Sequence, residues 1–466
     1  MFFGRNQELD KLNQMYKSNK FEFAIVYGRR RVGKTALIKE FCKDKKSIYF
    51  LSREANSDIN LRDFSKNVYS TLVQDLASTS NFNDWEDAFD YIYKISKNER
   101  IILIIDEYQY LACGFKPTSS ILQAHIDEQF KQSKLFLILC GSSTSFMENQ
   151  VLGYKSPLYG RRTAQFKVLP FNFLESKQFL RGFKTEDQAI LYGITGGVPG
   201  YLNQINDELS VKSNIINLFL TPSGNLYEEP LNLIKQELRE PSTYNGIIET
   251  IAEGATRLNE IAVKGGKLEG NKCAKYLSSL IDLGIIKKEI PITETISEKS
   301  IYRLDDQMFR FWYRFVFPNM SSIVSGLSEE LYDNEVFPHL NDYMGLTFEE
   351  ICKQYFFELM KKDKLPFFTG RAGRWWGNDP VNKCEAEIDV MAYRKNKEAI
   401  FAECKWTNAR VDLKILNHLI EKSKIFNYKD NYYYLFSKSG FKESVIEFAK
   451  SNENVKLFSF EEMNKI

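Results

Sequence analysis

The segment from Phe21 to Cys42 constrains the fold more than any other part of the chain. Phe21-Glu-Phe-Ala-Ile-Val-Tyr27 is a run of strand formers, and Ala36-Leu-Ile-Lys-Glu-Phe-Cys42 is compatible with a helix. Between them lies Gly28-Arg29-Arg30-Arg31-Val32-Gly33-Lys34-Thr35, which reads GxxxxGK[ST]. Strand, glycine turn and helix in this order direct successive backbone N–H groups at a di- or triphosphate. Glycine is required where the backbone turns with positive φ or must approach a phosphate closely. The expected contacts therefore run from Gly28 to Ala36. Lys34 reaches the β- and γ-phosphates, and the Thr35 hydroxyl ligates Mg²⁺. An ordinary turn before a helix would not need both flanks to match.

A second half-site follows where Ile101-Ile-Leu-Ile-Ile105 ends in Asp106-Glu107. A short, wholly apolar run is the pattern of a central parallel strand covered on both faces. Acids at its C-terminal end fall at the mouth of the sheet, beside a phosphate loop. Asp106 is expected to hold the Mg²⁺ shell and Glu107 to orient the attacking water, a pairing that points to ATP hydrolysis. A third strand, Leu135–Cys140, opens into Gly141-Ser142-Ser143. There Ser142 or Ser143 is placed between the two motifs to sense the γ-phosphate, or merely to cap the next turn. Arg161 and Arg162 offer guanidinium groups to developing phosphoryl charge, acting on the same chain's nucleotide or on a neighbour's.

These residues carry a resemblance. Phe3-Gly4-Arg5 with Glu8-Leu9 looks like the FxGRxxEL box of AAA+ and STAND-type ATPases, which lies near the adenine. Gly196-Gly-Val-Pro199-Gly-Tyr201 resembles their GGxPxY signature, which brings Pro199 into the expected nucleotide set. The block Phe309-Arg-Phe-Trp-Tyr-Arg-Phe-Val-Phe-Pro318 resembles that of the archaeal-type ATPase family, in which the loop commonly reads GRRRVGKT. The resemblance implies an ATPase core with ATP and Mg²⁺, a helical lid, a winged helix and a C-terminal domain.

Composition narrows the partners. With 63 basic and 61 acidic residues the net charge is +2, so nucleic acid could be held only by a local patch. Seven scattered cysteines and three histidines argue against a structural zinc site and fit reduced core packing in the cytoplasm. The start of the chain lacks the apolar stretch of a signal peptide, and no run is long enough to span a membrane. At 466 residues, two to four domains are expected.

The expected organisation is α/β. A parallel-sheet ATPase core occupies 1–170, with strands near 21–27, 47–52, 101–105, 135–140 and 163–169. A helical lid covers 171–225, and a winged helix-turn-helix lies within 226–318. A linker at 319–340 precedes a C-terminal α/β domain over 341–466. In the winged unit, Lys272, Lys275, Lys287 and Lys288 are either phosphate contacts or an ordinary solvated face.

The C-terminal domain carries a second acid constellation. Glu385-Ala-Glu-Ile-Asp389 and Ala399-Ile-Phe-Ala-Glu403-Cys-Lys405 read as two strands joined by a charged turn. Residues two apart share a strand face, so Glu403 and Lys405 point the same way, and Asp389 can meet them. The set is similar to the PD-(D/E)xK nuclease superfamily. There the first helix often supplies another glutamate, for which Glu349 is the match. The resemblance implies a metal held by Glu349, Asp389 and Glu403, with Asp389, Glu403 and Lys405 acting on a water. Trp375-Trp376 could stack on bases or belong to a core. Three functions stay open on sequence. The first is an ATPase coupled to a DNA-binding or DNA-cleaving domain. The second is an ATP-dependent regulator whose nuclease-like module is inactive, with nucleotide-dependent homo-oligomerisation. The third is an ATP-dependent transcription regulator.

Overall fold

The computed structural model describes residues 2–72, 81–296, 299–380, 382–395 and 397–465. The chain divides into two compact units, Met1–Pro170 and Phe171–Ile466.

In the first unit, five strands form one sheet: β1 (Glu22–Tyr27), β2 (Ser47–Leu51), β3 (Ile101–Asp106), β4 (Leu135–Gly141) and β5 (Ala164–Lys167). Their spatial order is β2-β3-β4-β1-β5, and every pairing is parallel. All five expected strands are present. The central strands are apolar throughout because both faces are covered, and alternate residues serve opposite cores. Phe23, Ile25, Leu103 and Leu137 pack with helices α3 (Ser57–Leu72), α4 (Trp85–Ser96) and α6 (Thr118–Glu128). Ala24, Val26, Ile104 and Ile138 pack with Leu12 and Met15 of α1 (Asn6–Lys17) and with Leu37, Ile38 and Phe41 of α2 (Lys34–Cys42). The α5 helix (Tyr108–Gly114) follows β3 directly.

The second unit begins with helices, among them Thr185–Thr195 and Val211–Phe219. Helices Pro241–Ala252, Leu258–Lys264 and Gly270–Asp282 then lead into an antiparallel hairpin, β6 (Ile286–Glu289) and β7 (Ile301–Leu304). The aromatic block is core: Phe309, Phe311, Trp312 and Phe315 are buried, and the Trp312 indole donates to Tyr227 O at 2.6 Å. The expected linker at 319–340 is instead helical, with segments at Met320–Val324, Ser328–Leu331 and Tyr332–Val336. Ile323, Leu331, Tyr332 and Val336 are buried in the main core of this unit. These apolar residues are set among polar ones and fall on separate short helices, so no single long periodicity marks them in the sequence.

The helix Leu340–Lys361 opens the last part of the unit. A mixed sheet follows, made of β8 (Ala372–Asp379), β9 (Cys384–Arg394), β10 (Glu398–Lys405), β11 (Asp430–Ser437) and β12 (Val455–Ser459). Its order is β12-β11-β10-β9-β8, parallel from β10 to β12 and antiparallel from β10 to β8. Phe348, Cys352 and Phe356 of Leu340–Lys361 cover one face. Leu416 and Leu419 of helix Leu413–Ser423 and Val445 of helix Glu443–Ser451 cover the other.

Candidate functional site

The glycine loop is built by close approach. Gly28 has φ 152°, and a Cβ there would lie 2.3 Å from Val168 O, so no other residue fits without moving β5. Gly33, with φ 92°, is the left-handed N-cap from which α2 starts. Lys34 is buried, and its ammonium donates to Gly28 O at 2.8 Å and Arg29 O at 2.9 Å. Lysine thereby folds the loop around itself. Val32 is buried, Ala36 and Arg31 are exposed, and Arg30 donates to the Tyr110 hydroxyl at 3.1 Å. Arg5 is a clamp: its guanidinium donates to Val32 O at 3.2 Å and to Leu169 O, tying the chain start to the loop and to the exit of β5.

The acids lie where the sheet order brings them, since β4 sits between β3 and β1. Thr35 Oγ1 donates to Asp106 Oδ2 at 3.2 Å, and the Tyr49 hydroxyl donates to the same oxygen. Burial and this carboxylate raise the Tyr49 pKa, keeping the phenol a donor. Asp106 Oδ1 accepts from the Glu107 N–H at 2.9 Å. Glu107 has φ 53°, left-handed for a residue with a side chain, as it turns from β3 into α5. Its Oε2 accepts from Ser142 Oγ at 2.7 Å, from Ser142 N at 3.2 Å and from Gln109 Nε2. Ser142 therefore grips Glu107. The sequence reading missed Tyr49 and Gln109; alternation in β2 and the spacing from Asp106-Glu107 were the only signals for them.

Two expected nucleotide residues have local structural roles. Arg161 donates to Asp127 Oδ2 at 2.6 and 2.9 Å and to the carbonyls of Pro157 and Tyr159, and this pairing lowers the Asp127 pKa. Its guanidinium is thus held by an ion pair within the first unit. Arg162 places its charge near Tyr27, at the end of β1. Pro199 lies in the second unit as the first residue of a short helix, Pro199–Leu202. Gly196 caps the helix before it, and a Cβ on Gly197 would come 2.0 Å from Phe171 O. Local packing accounts for this motif.

Residues 2–205 match the model of an ATPase domain predominantly from Archaea, and residues 312–416 match a model of archaeal and bacterial proteins of unknown function. An uncharacterised protein of Methanocaldococcus jannaschii is 35% identical over 474 residues, covering 100% of both chains. The chain belongs to the archaeal-type ATPase family. An uncharacterised ATP-binding protein of Pyrococcus abyssi is 23% identical over 43% of this chain and 71% of its own length. A Walker-type ATPase of Pyrococcus abyssi shares the fold, with a TM-score of 0.50 at 21% identity over 67% of this chain and 96% of that one.

In this archaeal-type ATPase the second acid constellation is only partly assembled. Glu349, on helix Leu340–Lys361, and Asp389, on β9, line one cavity of about 70 Å³. Burial, then the Asp389 charge, pushes the Glu349 pKa up to about 8; burial, then the Glu403 charge, pushes Asp389 up to about 6. Asp389 also accepts the Cys404 N–H at 2.7 Å. A β-bulge aims it there: Gly373 pairs with Met391 but Trp375 pairs with Ile388, so β9 carries an extra residue at this point. Glu403 sits in an ion triplet, with Lys405 at 2.7 Å and Lys422 at 3.3 Å, and its charge still acts on Asp389. Among the described residues no group of three or more His, Cys, Asp or Glu is arranged to hold a metal. Glu349 and Asp389 thus line the cavity, while Glu403 pairs with the two lysines.

The β6–β7 hairpin walls this cavity with Lys287, Glu289 and Arg303. Lys287 pairs with Glu289 at 3.0 Å, Asp305 at 3.2 Å and Glu350 at 4.0 Å. The loop of the hairpin docks on β8, where Ile292 N donates to Arg374 O at 3.0 Å and the Trp376 indole to Lys299 O at 3.2 Å. Trp375 packs against Phe426 at 4.7 Å between ring centroids. Both tryptophans are thus structural.

Proposed function

We propose that this protein is an Mg²⁺-dependent, ATP-hydrolysing switch of AAA+/STAND type, with a C-terminal nuclease-like module held closed. The observation that carries it is the Thr35–Asp106 hydrogen bond beside Glu107, at the end of a loop closed on Lys34. A hydroxyl and a carboxylate already in contact suit a shared divalent cation, and Thr35 and Asp106 would hold it. Bound Mg²⁺ would neutralise phosphate charge and polarise the terminal phosphoryl group. Lys34 exchanges the carbonyls of Gly28 and Arg29 for phosphate oxygens. The loop N–H groups orient the chain of phosphates. Glu107 is fixed through Oε2 by Ser142 and Gln109, which leaves Oε1 to orient and polarise water. ATPase activity in the whole protein, lost in both Lys34→Ala and Glu107→Gln while Glu107→Gln still binds ATP, is the expected pattern. Hydrolysis that survives Glu107→Gln would remove Glu107 from this role.

The C-terminal module supports a nuclease-like reading through Glu349 and Asp389 facing one cavity. The closed hairpin and the Glu403 triplet favour a regulatory module over a constitutive nuclease. Metal-dependent DNA cleavage that disappears in Asp389→Ala would reverse that preference. The helices and hairpin from Pro241 to Leu304 are assigned as a winged helix whose wing serves as an internal cover.

A further inference from the structure

A second, larger pocket adjoins the first along β7. Its volume is about 420 Å³, and it is lined by residues of helix Pro241–Ala252, of β7 and of helix Leu340–Lys361. That size falls within the roughly 300–1,000 Å³ of small-ligand sites. Its charge is one-sided: Arg303, Arg310 and Arg314 face it, and among the described residues Asp342 is the one carboxylate in its lining. Ile251, Leu304 and Leu346 give it an apolar wall. Two of the arginines come from the aromatic block, whose rings are committed to the core while these guanidinium groups are not.

Arg310 lines both cavities, and its charge acts on Glu349 in the smaller one. Its guanidinium lies over the Tyr343 ring, 4.6 Å from the centroid, and donates to Thr347 Oγ1 at 2.6 Å. The ring and the hydroxyl fix the plane of the fork, yet its Nε is buried without a hydrogen-bond partner. A buried donor without an acceptor is costly, and a planar guanidinium pairs best with a phosphate or carboxylate presenting two oxygens. Arg314 meets Asp342 at 2.9 Å with 41% of its side chain exposed, so it can turn to a ligand at the rim. Arg303 is 3.8 Å from Glu289, a loose pairing.

We propose that this pocket is a second ligand site, separate from the glycine loop, for an organic phosphate of nucleotide size. Arg310 takes the phosphate, Arg314 and Arg303 close on it, and Ile251, Leu304 and Leu346 receive the organic part. A phosphate of this kind is presented either by a free nucleotide or by the 5′ end of a single strand. The pocket shares Arg303, Leu304, Arg310 and Leu346 with the Glu349–Asp389 cavity, so a strand end held here would reach towards that cavity. The assignment does not depend on ATP hydrolysis or on cleavage.

The full-length Lys34→Ala protein silences the glycine loop and isolates the pocket. Calorimetric titration would compare AMP, ATP, a 5′-phosphorylated single-stranded oligonucleotide and its unphosphorylated twin. At least one phosphorylated probe should bind, and adding Arg314→Ala or Arg310→Gln should weaken it by about tenfold or more, the loss of one charge-assisted partner. Mononucleotide binding identifies the free ligand as the source; binding of only the phosphorylated strand identifies the strand end. Arg314→Ala, at the exposed rim, guards against misfolding, and its melting temperature should match that of Lys34→Ala. Absence of binding by every phosphorylated probe, or equal affinity with Arg314→Ala and Arg310→Gln, would overturn the proposal. Equal binding of the unphosphorylated twin would overturn it too.

Discussion

At the scale of single residues, the two acid sites differ in how their charges are resolved. Asp106 accepts two hydroxyl donors and one N–H, so its negative charge is stabilised where a cation would add to it. Glu349 and Asp389 line one cavity, where burial and the Asp389 charge raise the Glu349 pKa and burial and the Glu403 charge raise that of Asp389. The sign for stability follows from that. Glu349 is an acid whose pKa in the fold lies above its ordinary 4.5, so its favourable contribution is complete below pH 4.5 and is lost as pH rises through about 8. Melting temperatures measured across this window should fall for the native protein and fall less for Glu349→Gln. A flat profile in the native protein would count against the buried pair. In the glycine loop, Lys34→Ala should weaken ATP binding by roughly two orders of magnitude, the cost of removing a buried charged partner. Fluorescent-nucleotide titration reads it. Gly28→Ala forces a Cβ against Val168 O at 2.3 Å and should destabilise the first unit by about 3 kcal/mol, visible in denaturant unfolding.

At the scale of elements, legibility followed how local the determining signal was. The five parallel strands of the first unit were readable because each is an uninterrupted apolar run ending at a turn, and Asp106-Glu107 was readable because it terminates one of them. Ser142 was legible at the end of its strand, but its partner Glu107 lies on a neighbouring strand end, which spacing alone does not reveal. The hairpin β9–β10 was legible, but the bulge at Asp389 depends on its pairing with β8, and the second lysine on Glu403, Lys422, comes from a later helix. Neither has a local signature. The cover formed by β6–β7 was likewise invisible, because Trp376 and Lys299 are brought together only by tertiary structure. Removing that indole donor with Trp376→Phe should cost about 1 kcal/mol and speed amide exchange across 286–304, as followed by mass spectrometry. Unchanged exchange would show that the hairpin is held by its ion network alone.

At the scale of the whole molecule, two compact units imply two thermal transitions in calorimetry. ATP at about 100 times its dissociation constant should stabilise the transition of Met1–Pro170 by roughly 2.7 kcal/mol. Any response of the other transition in Lys34→Ala then reports the arginine pocket. The sheet order of the first unit has a consequence for synthesis. The strand β1 is the first made, yet its neighbours are β4 and β5, the last made, and the Arg5 clamp waits for Leu169. A nascent chain that has not yet delivered residue 169 carries the whole GRRRVGKT sequence but has no wall for Gly28 to lean on. Ribosome-bound chains ending before Ala164 should therefore ignore ATP in a protease challenge, and chains extending well past Pro170 should be protected by it. Competence to bind nucleotide is thus acquired at a single moment in translation, when the end of the unit closes over its beginning.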